Sequence, residues 1–504
     1  MASRQIHNAM QQNIEEKQMS EFVTSRSSRN AIVAVIVIVV IGISAFAYFS
    51  FTLPPGNGTT TTTTTTTTDT GITLAVLSRH DLSIQQVYES AFLATDYAIE
   101  NNITDMIWRT PDAQFWDDII DDGKADIAWG GGPTLFDQLM RDDRLEPWTN
   151  SDLLAAADKV NDTIAGADMK RYNSEEQLIW VADAISTFGF TVNHVFLNDH
   201  LLPVPKTWTD LANATYGSIL PDATIAMGSA PLTTSNTRIY EIIVQVLGWE
   251  EGWTTMTRMA GNSDIYPGSV ETQTASERGD VGISMSIDFY GYLTQFRNPD
   301  CEYIVPEGQT IVNGDPIAIP KNSPHKDLAE GFVAWALSDE GQAIWLDNDL
   351  RRMPVRREAF DLVDPETTED LYIAFNNTIK TVGIDFNDTL SLEMNAAFVK
   401  YWGAIITDAH EELVQCWMAI LNEYETNPAF GEAELDYYAS LMSAPLTISD
   451  PKTSISRQFT IEYATEIDHD IIYDSTYASQ CAQKWTAAAK IQYLDIQTQV
   501  EALS

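Results

Sequence analysis

The sequence predicts an α/β protein of two lobes, extended by a mainly helical C-terminal unit and preceded by one membrane-spanning helix. Three observations predict it. Residues 31–51 form a charge-free apolar run, short apolar segments alternate with longer amphipathic ones over roughly residues 71–320, and beyond about 360 apolar residues recur every three or four positions.

The apolar run comes first. About 20 apolar residues cross a hydrocarbon core of roughly 30 Å as one helix. Arg26 and Arg29 precede the run and no Lys or Arg comes closely after it, so the charge bias places residues 1–30 in the cytoplasm and everything after residue 51 outside. A cleaved signal peptide is the competing reading. Its apolar core would run about 7–15 residues and lead to a small-residue cleavage site, for which Ser44, Ala45 and Ala47 are at hand. No cysteine lies near the end of the run, which argues against a lipid anchor. Residues 52–70 carry Pro54, Pro55 and ten threonines, Thr59 to Thr68, a composition that builds no apolar core. They read as a solvated tether reaching roughly 60 Å at full extension.

The folded region, 71–504, is long enough for two or three structural units, and 13 tryptophans support real packing. Strands are predicted at 72–77 and 125–129, with helices at 83–101, 115–122 and from Pro133 onward. A second set has strands at 189–193, 224–227, 281–285 and 317–319 and helices at 208–212 and 237–247. This is the rhythm of open, mostly parallel sheets. The expected division is a first lobe of 71–188 plus 285–359, a second lobe of 189–284, and an extension of 360–504. In that extension Phe398, Trp402, Ile405, Ala409, Leu413, Cys416, Ile420 and Tyr424 mark one face of a long helix, and Pro428, Pro445 and Pro451 interrupt the helical pattern beyond it.

A net charge of −43 excludes nucleic acid as a partner, because a phosphate backbone needs a basic footprint. The acidity reads as a solvated outer surface, of a kind suited to salty or hot water. Cys301, Cys416 and Cys481 match no zinc spacing and allow at most one disulfide; a Cys301 to Cys481 bridge is the arrangement open to an extracellular chain. Enzyme signatures are absent: there is no G-x-S-x-G, Walker A loop or C-x-x-C, and His410-Glu411-Glu412 has Val414 where a zinc helix needs its second histidine. Neither an enzymatic activity nor a cofactor is expected.

Ligands on two-lobed α/β sheets sit beyond the carboxyl ends of the strands, so the strand-to-helix turns carry the candidate site. Gly130, Gly131 and Gly132 come after Trp129 and precede a helix start with Thr134, which lets backbone approach a ligand and offers free N–H groups. A tight turn packed on the sheet is the equal alternative. In the second set, Thr233, Thr234 and Ser235 occupy the same topological place, with Ser235 or Asn236 capping the helix. Asp288, Phe289 and Tyr290 come after one strand and Asp315 precedes another, an acid-plus-aromatic grouping suited to an organic cation. Ser78, Arg79 and His80 stand at the end of the first strand.

The order of these segments resembles the extracellular solute-binding proteins of ABC importers, the two-lobed type II periplasmic binding proteins that include iron(III), thiamine and polyamine binders. GDPIAIPKNSPHKDLAEGFVAWALSDEGQAIWL at 314–346 is the most specific match. ADIAWGGGPTLFD at 125–137, GFTVNHVFLNDHLLPVPKTWTDLANATYG at 189–217, IAMGSAPLTTSNT at 225–237 and ERGDVGISMS at 277–286 fall in the family's order, together covering about 71–357. The resemblance implies capture of a small solute by hinge closure near 187–193 and 285–288, docking on an ABC permease, and no chemistry. Members that bind bare iron use adjacent tyrosines, whereas here Tyr290 and Tyr292 are separated by Gly291. An organic cation or polyhydroxy compound is therefore favoured, with a metal chelate next. The helix and threonine stalk lean archaeal by resemblance. A sensory or adhesive surface protein built on the same module is the alternative function, and an extracellular hydrolase a third.

Overall fold

The computed structural model describes residues 71–503 apart from Asp112. The segments expected to be cytoplasmic (1–30), membrane-spanning (31–51) and tethering (52–70) lie outside the described residues, among which no helix is long and apolar enough to cross a membrane.

The first lobe grows from β1 (Ile72–Ser78), with β2 (Ile103–Arg109) and β3 (Ile127–Trp129) parallel on either side of it. Helix α1 (Leu82–Leu93) joins β1 to β2, and α2 (Pro133–Arg141) comes after β3. The helix expected over 83–101 is two helices, because Thr95 caps a new one, its side chain accepting from the Ala98 N–H. β2 escapes the sequence pattern because only Ile103 and Met106 of its seven residues are buried.

The centre of the molecule is β4 (Leu178–Asn193), 16 residues buried throughout. Only 189–193 is read as strand from the sequence, since a continuous apolar run on both faces lacks alternation. Next come β5 (Ile225–Gly228), α3 (Thr234–Leu247), β6 (Ser263–Tyr266), α4 (Ser269–Arg278), β7 (Ile283–Ile287), α5 (Asp288–Arg297), β8 (Cys301–Ile304) and β9 (Val312–Ala318). The strand order is β2-β1-β3-β9-β4-β7-β5-β6. The flanks are parallel as expected, but the centre is antiparallel. There β9 pairs with β4 from Ala318↔Trp180 to Val312↔Thr187, and β7 and β8 pair with its second half, Phe188 onward. β4 thus serves both lobes and changes partners at Thr187–Phe188.

Two large apolar cores match this division. One gathers Leu74, Val76, Trp129, Ile185, Val312, Phe332 and Trp345, and also Leu371 and Phe375 of the helix Pro365–Thr378. The other gathers Phe188, Met227, Ile283, Met285, Ile287 and Ile311 with Phe398, Trp402, Trp417 and Trp485. Residues 285–311, expected with the first lobe, therefore put apolar side chains into the second core, and the extension is divided between the two.

The long helix expected from Phe398 to Tyr424 is two helices, α6 (Asp388–Trp402) and α7 (His410–Thr426), joined through a π-helical turn at Gly403–Thr407. The turn brings Gly403 against the second lobe, where an added Cβ would lie 2.8 Å from Pro231 Cγ. All three cysteines are buried and free, so the Cys301 to Cys481 bridge is not formed.

Candidate functional site

The loops after β1 and β3 are tied to each other from below. Ser78 Oγ donates to the Trp129 carbonyl at 2.8 Å and accepts from the His80 N–H at 3.0 Å, fully buried. Trp129 contributes backbone to this loop; its ring is buried among Tyr88, His80 and Trp345. Arg79 is half-buried and donates to the Pro111 carbonyl at 3.0 Å. Gly130, Gly131 and Gly132 have φ of +81°, +109° and +85°, a run of left-handed backbone that side chains resist. A Cβ on Gly130 would stand 2.5 Å from His80 Nε2. Gly130→Ala is expected to lower stability by about 2 kcal/mol or more, combining left-handed strain with a clash against a buried ring. Thermal denaturation checks this, and an alanine variant as stable as the parent would contradict it.

Behind the glycines lies a buried charge network. Asp315 Oδ1 accepts from the Gly131 N–H at 3.2 Å, while its Oδ2 lies 2.7 Å from an Arg352 guanidinium nitrogen and 2.8 Å from His80 Nε2. Burial alone would raise the Asp315 carboxyl, but the Arg352 charge and the His80 hydrogen bond outweigh it and hold the group below the carboxylate range. Burial dominates for His80 and lowers it, against the hydrogen bond and charge of Asp315 at its Nε2.

The second lobe presents three helix starts. Thr233, rather than Ser235 or Asn236, caps α3, its side chain accepting from the Asn236 N–H; Asn236 itself is buried and accepts from the Gly228 N–H at 3.0 Å. The Ser269 hydroxyl, where α4 begins, sits 2.7 Å from Thr233 Oγ1 and 2.6 Å from Ser235 Oγ. Thr234 is exposed beside them. At the start of α5, Asp288 is fully buried, its Oδ1 accepting from the Phe289 N–H and its Oδ2 from the Thr187 N–H, both at 2.8 Å. Burial pushes its carboxyl up to about 7. Thr187 is the last residue of β4 paired to the first lobe's β9, so Asp288 braces the crossover rather than the loop surface. Tyr303 and Thr310 brace it too: the Tyr303 hydroxyl donates to the Thr187 carbonyl at 3.1 Å and Thr310 Oγ1 to the Phe188 carbonyl at 2.7 Å.

These loops meet across the lobes. The Tyr290 hydroxyl donates to Asp81 Oδ2 at 3.2 Å, the Arg352 guanidinium lies 4.9 Å from the Phe289 ring centroid, and Arg238 donates to Thr134 Oγ1 at 3.0 Å. The expected acid-plus-aromatic cation trap is not what forms, because both of its acids are engaged, Asp288 with backbone N–H groups and Asp315 with Arg352. Among the described residues no group of three or more His, Cys, Asp or Glu side chains is placed to hold a metal ion. Arg238, Ser269 and Arg352 escape a reading of the sequence. Only Ser269 carries a local signal, a Pro267-Gly268 turn before a helix.

Two lobes share a central strand, with a glycine loop after β3 in one and a hydroxyl cluster after β5 in the other. Residues 97–373, more than half of the chain, match the family described as bacterial extracellular solute-binding protein, and the chain belongs to that family. Its fold is that of the type II periplasmic binding proteins of ABC importers. Iron-bound HitA from Pseudomonas aeruginosa superposes with a TM-score of 0.51 at 18% identity, over 66% of this chain and 99% of that one. The periplasmic binding protein P5PA gives 0.50 at 17%, with the same coverage. The phosphoglycerate transport regulatory protein PgtC of Salmonella typhimurium is 29% identical over 179 residues, 35% of this chain. The chain spans 43% of that relative's length.

Proposed function

We propose that this chain is a membrane-anchored, extracellular substrate-binding protein that closes its lobes on a small anionic, hydroxylated solute and delivers it to an ABC permease. The observation that carries the ligand class is the Thr233, Ser235 and Ser269 hydroxyl cluster, placed where α3 and α4 both begin. Helix starts favour negative charge, and α4 has no side-chain cap to consume its first N–H groups. In the first lobe Arg79 and the Gly132 backbone are the groups suited to such a solute, the Gly131 N–H being held by Asp315. The name of PgtC speaks of phosphoglycerate, a phosphorylated hydroxy acid, and agrees with this class. Anchoring rests on residues 31–51 and the threonine tether.

Calorimetric titration of the purified ectodomain with phosphoglycerate, a sugar phosphate, spermidine and ferric citrate tests the ligand class. Binding of an anionic solute is expected, and binding of spermidine alone would overturn it. Ser269→Ala is then expected to weaken binding about tenfold, the worth of one hydrogen bond to a charged group. Resistance of the full chain to carbonate extraction from membranes checks the anchor. The word "regulatory" in the relative's name favours one second reading, a sensory protein on the same module. Solute uptake that persists without the chain, while the response to the solute is lost, would select it.

A further inference from the structure

The extension does more than enlarge the second core. The chain passes between the two lobes at Thr187–Phe188 within β4 and again at Ile311–Val312 entering β9. It passes a third time after the helix Pro365–Thr378, whose Leu371 and Phe375 lie in the first core, and before α6, whose Met394, Ala397 and Phe398 lie in the second. The connecting stretch, 379–387, runs beside the second crossing. The Ile384 N–H donates to the Thr310 carbonyl at 3.0 Å, and a Cβ on Gly383 would lie 3.3 Å from that same oxygen and 3.5 Å from Ile311 Cα.

Where this stretch ends it reaches the edge of the cleft. Phe386 lies under the Arg238 guanidinium, 4.1 Å from ring centroid to Cζ, and Asp388 forms an ion pair with the same group. Arg238 is buried in the second lobe, and two of its other hydrogen bonds reach the first: to Thr134 Oγ1 at 3.0 Å and Asn313 Oδ1 at 3.5 Å. Gln245 holds the segment to α3, accepting from the Asn387 N–H at 2.8 Å.

We propose that residues 379–388 are a third hinge strap that limits lobe opening, with the Arg238–Asp388 pair as the catch that aims Arg238 across the cleft mouth. A link rooted in both cores resists separation of the lobes through its length, whereas the two sheet crossings resist it only through bending at one line. Asp388 holds Nη2 against Phe386 and Glu241 braces Nη1 at 3.3 Å, and the same two nitrogens reach Asn313 and Thr134 in the first lobe. The strap therefore sets how long a captured solute stays. The consequence for ligand residence rests on the solute-binding reading, but the strap itself is read without ligand.

Spin labels on cysteines replacing Lys124 in the first lobe and Lys206 in the second, both exposed, report the interlobe distance in the ligand-free full ectodomain by pulsed electron resonance. Asp388→Asn is nearly isosteric at a partly exposed position and keeps the fold. It is expected to raise the longer-distance population about threefold, the effect of losing one partly exposed charge pair. Insertion of Gly-Ser between Thr381 and Val382, where Val382 is 82% exposed, is expected to lengthen the longest distance reached. Distance distributions unchanged in both variants would overturn the strap. Failure of every solute to bind, with altered distributions, would instead count against the function proposed above while leaving the strap in place.

Discussion

Arg352→Ala is expected to cost about 3–5 kcal/mol of folding stability, the range for removing one partner of a buried ion pair. Arg352 is 4% exposed, and its guanidinium supplies a permanent positive charge to Asp315, whereas His80 beside it is lowered by burial. Asp183 makes the loss worse. It is fully buried nearby, its carboxyl raised well above the usual range by burial and then by Asp315, and Arg352 is the cation that opposes that rise. The damage also reaches the ligand loop, because Asp315 is the acceptor for the Gly131 N–H and Arg352 packs on Phe289 across the lobes. The melting temperature of the ectodomain should fall by roughly 3–6 °C. Arg352→Lys, which keeps charge but loses the fork that reaches Asp315 while stacking on Trp345, should fall between. An alanine variant melting within about 2 °C of the parent would show that Asp315 does not depend on Arg352.

The stability contributed by Asp288 and Asp468 should decline as pH rises from about 4 to about 7, opposite to the usual behaviour of a paired carboxylate. Burial raises both Asp288 and Asp468 to about 7, whereas in the unfolded chain they titrate near the ordinary carboxyl value of 3.8. The folded chain therefore keeps protons that the unfolded chain has released. Stability from these two groups is fully present below about pH 4 and is lost through the interval up to their folded values, at about 1.4 kcal/mol per pH unit for each group. Asp315 and Asp450 work the other way. Burial opposes their ionisation, but Arg352 and His80 in one case, and the Tyr477 and Tyr463 hydroxyls in the other, hold the carboxylates charged. Their contribution is lost as pH falls below about 4, and His80 and His410, both lowered by burial, add stability as pH rises toward the ordinary imidazole value of 6.5. General repulsion among the excess acids adds to the decline, so the parent profile alone does not isolate Asp288. The comparison with Asp288→Asn does, because that variant should lose about half of the slope contributed by the two buried acids between pH 5 and 7. Denaturant midpoints at successive pH values measure it, and parallel profiles would mean that Asp288 ionises normally in the fold. Its place at the β4 crossover adds a functional reading: ionisation strengthens its acceptance of the Thr187 N–H, stiffening the bend between the lobes.

Much of this molecule is legible from local pattern. Strand-to-helix turns announce themselves through glycine triplets, hydroxyl clusters and apolar periodicity within about 20 residues, so the loops at Gly130, Thr233 and Asp288 are found without any knowledge of pairing. The capping of α3 falls two or three positions from its expected place because several adjacent hydroxyl and amide side chains compete for one role. β4 resists reading, since a strand buried on both faces shows no alternation and a 16-residue run divides itself between two lobes only when partners arrive.

The sequence by itself determined the kind of protein: an apolar segment and tether ahead of α/β units whose order marks a solute-binding family, with candidate loops at strand ends. The tertiary structure alone decided what those loops can hold. His80 and Asp315 are 235 positions apart, and Arg238 and Asp388 are 150 apart. Whether an acid faces a ligand or an arginine depends on contacts at that range, and so does the division of the extension between two cores. Local composition carries the propensity of each segment to form, while the charge state of a buried group is set by neighbours that only folding supplies.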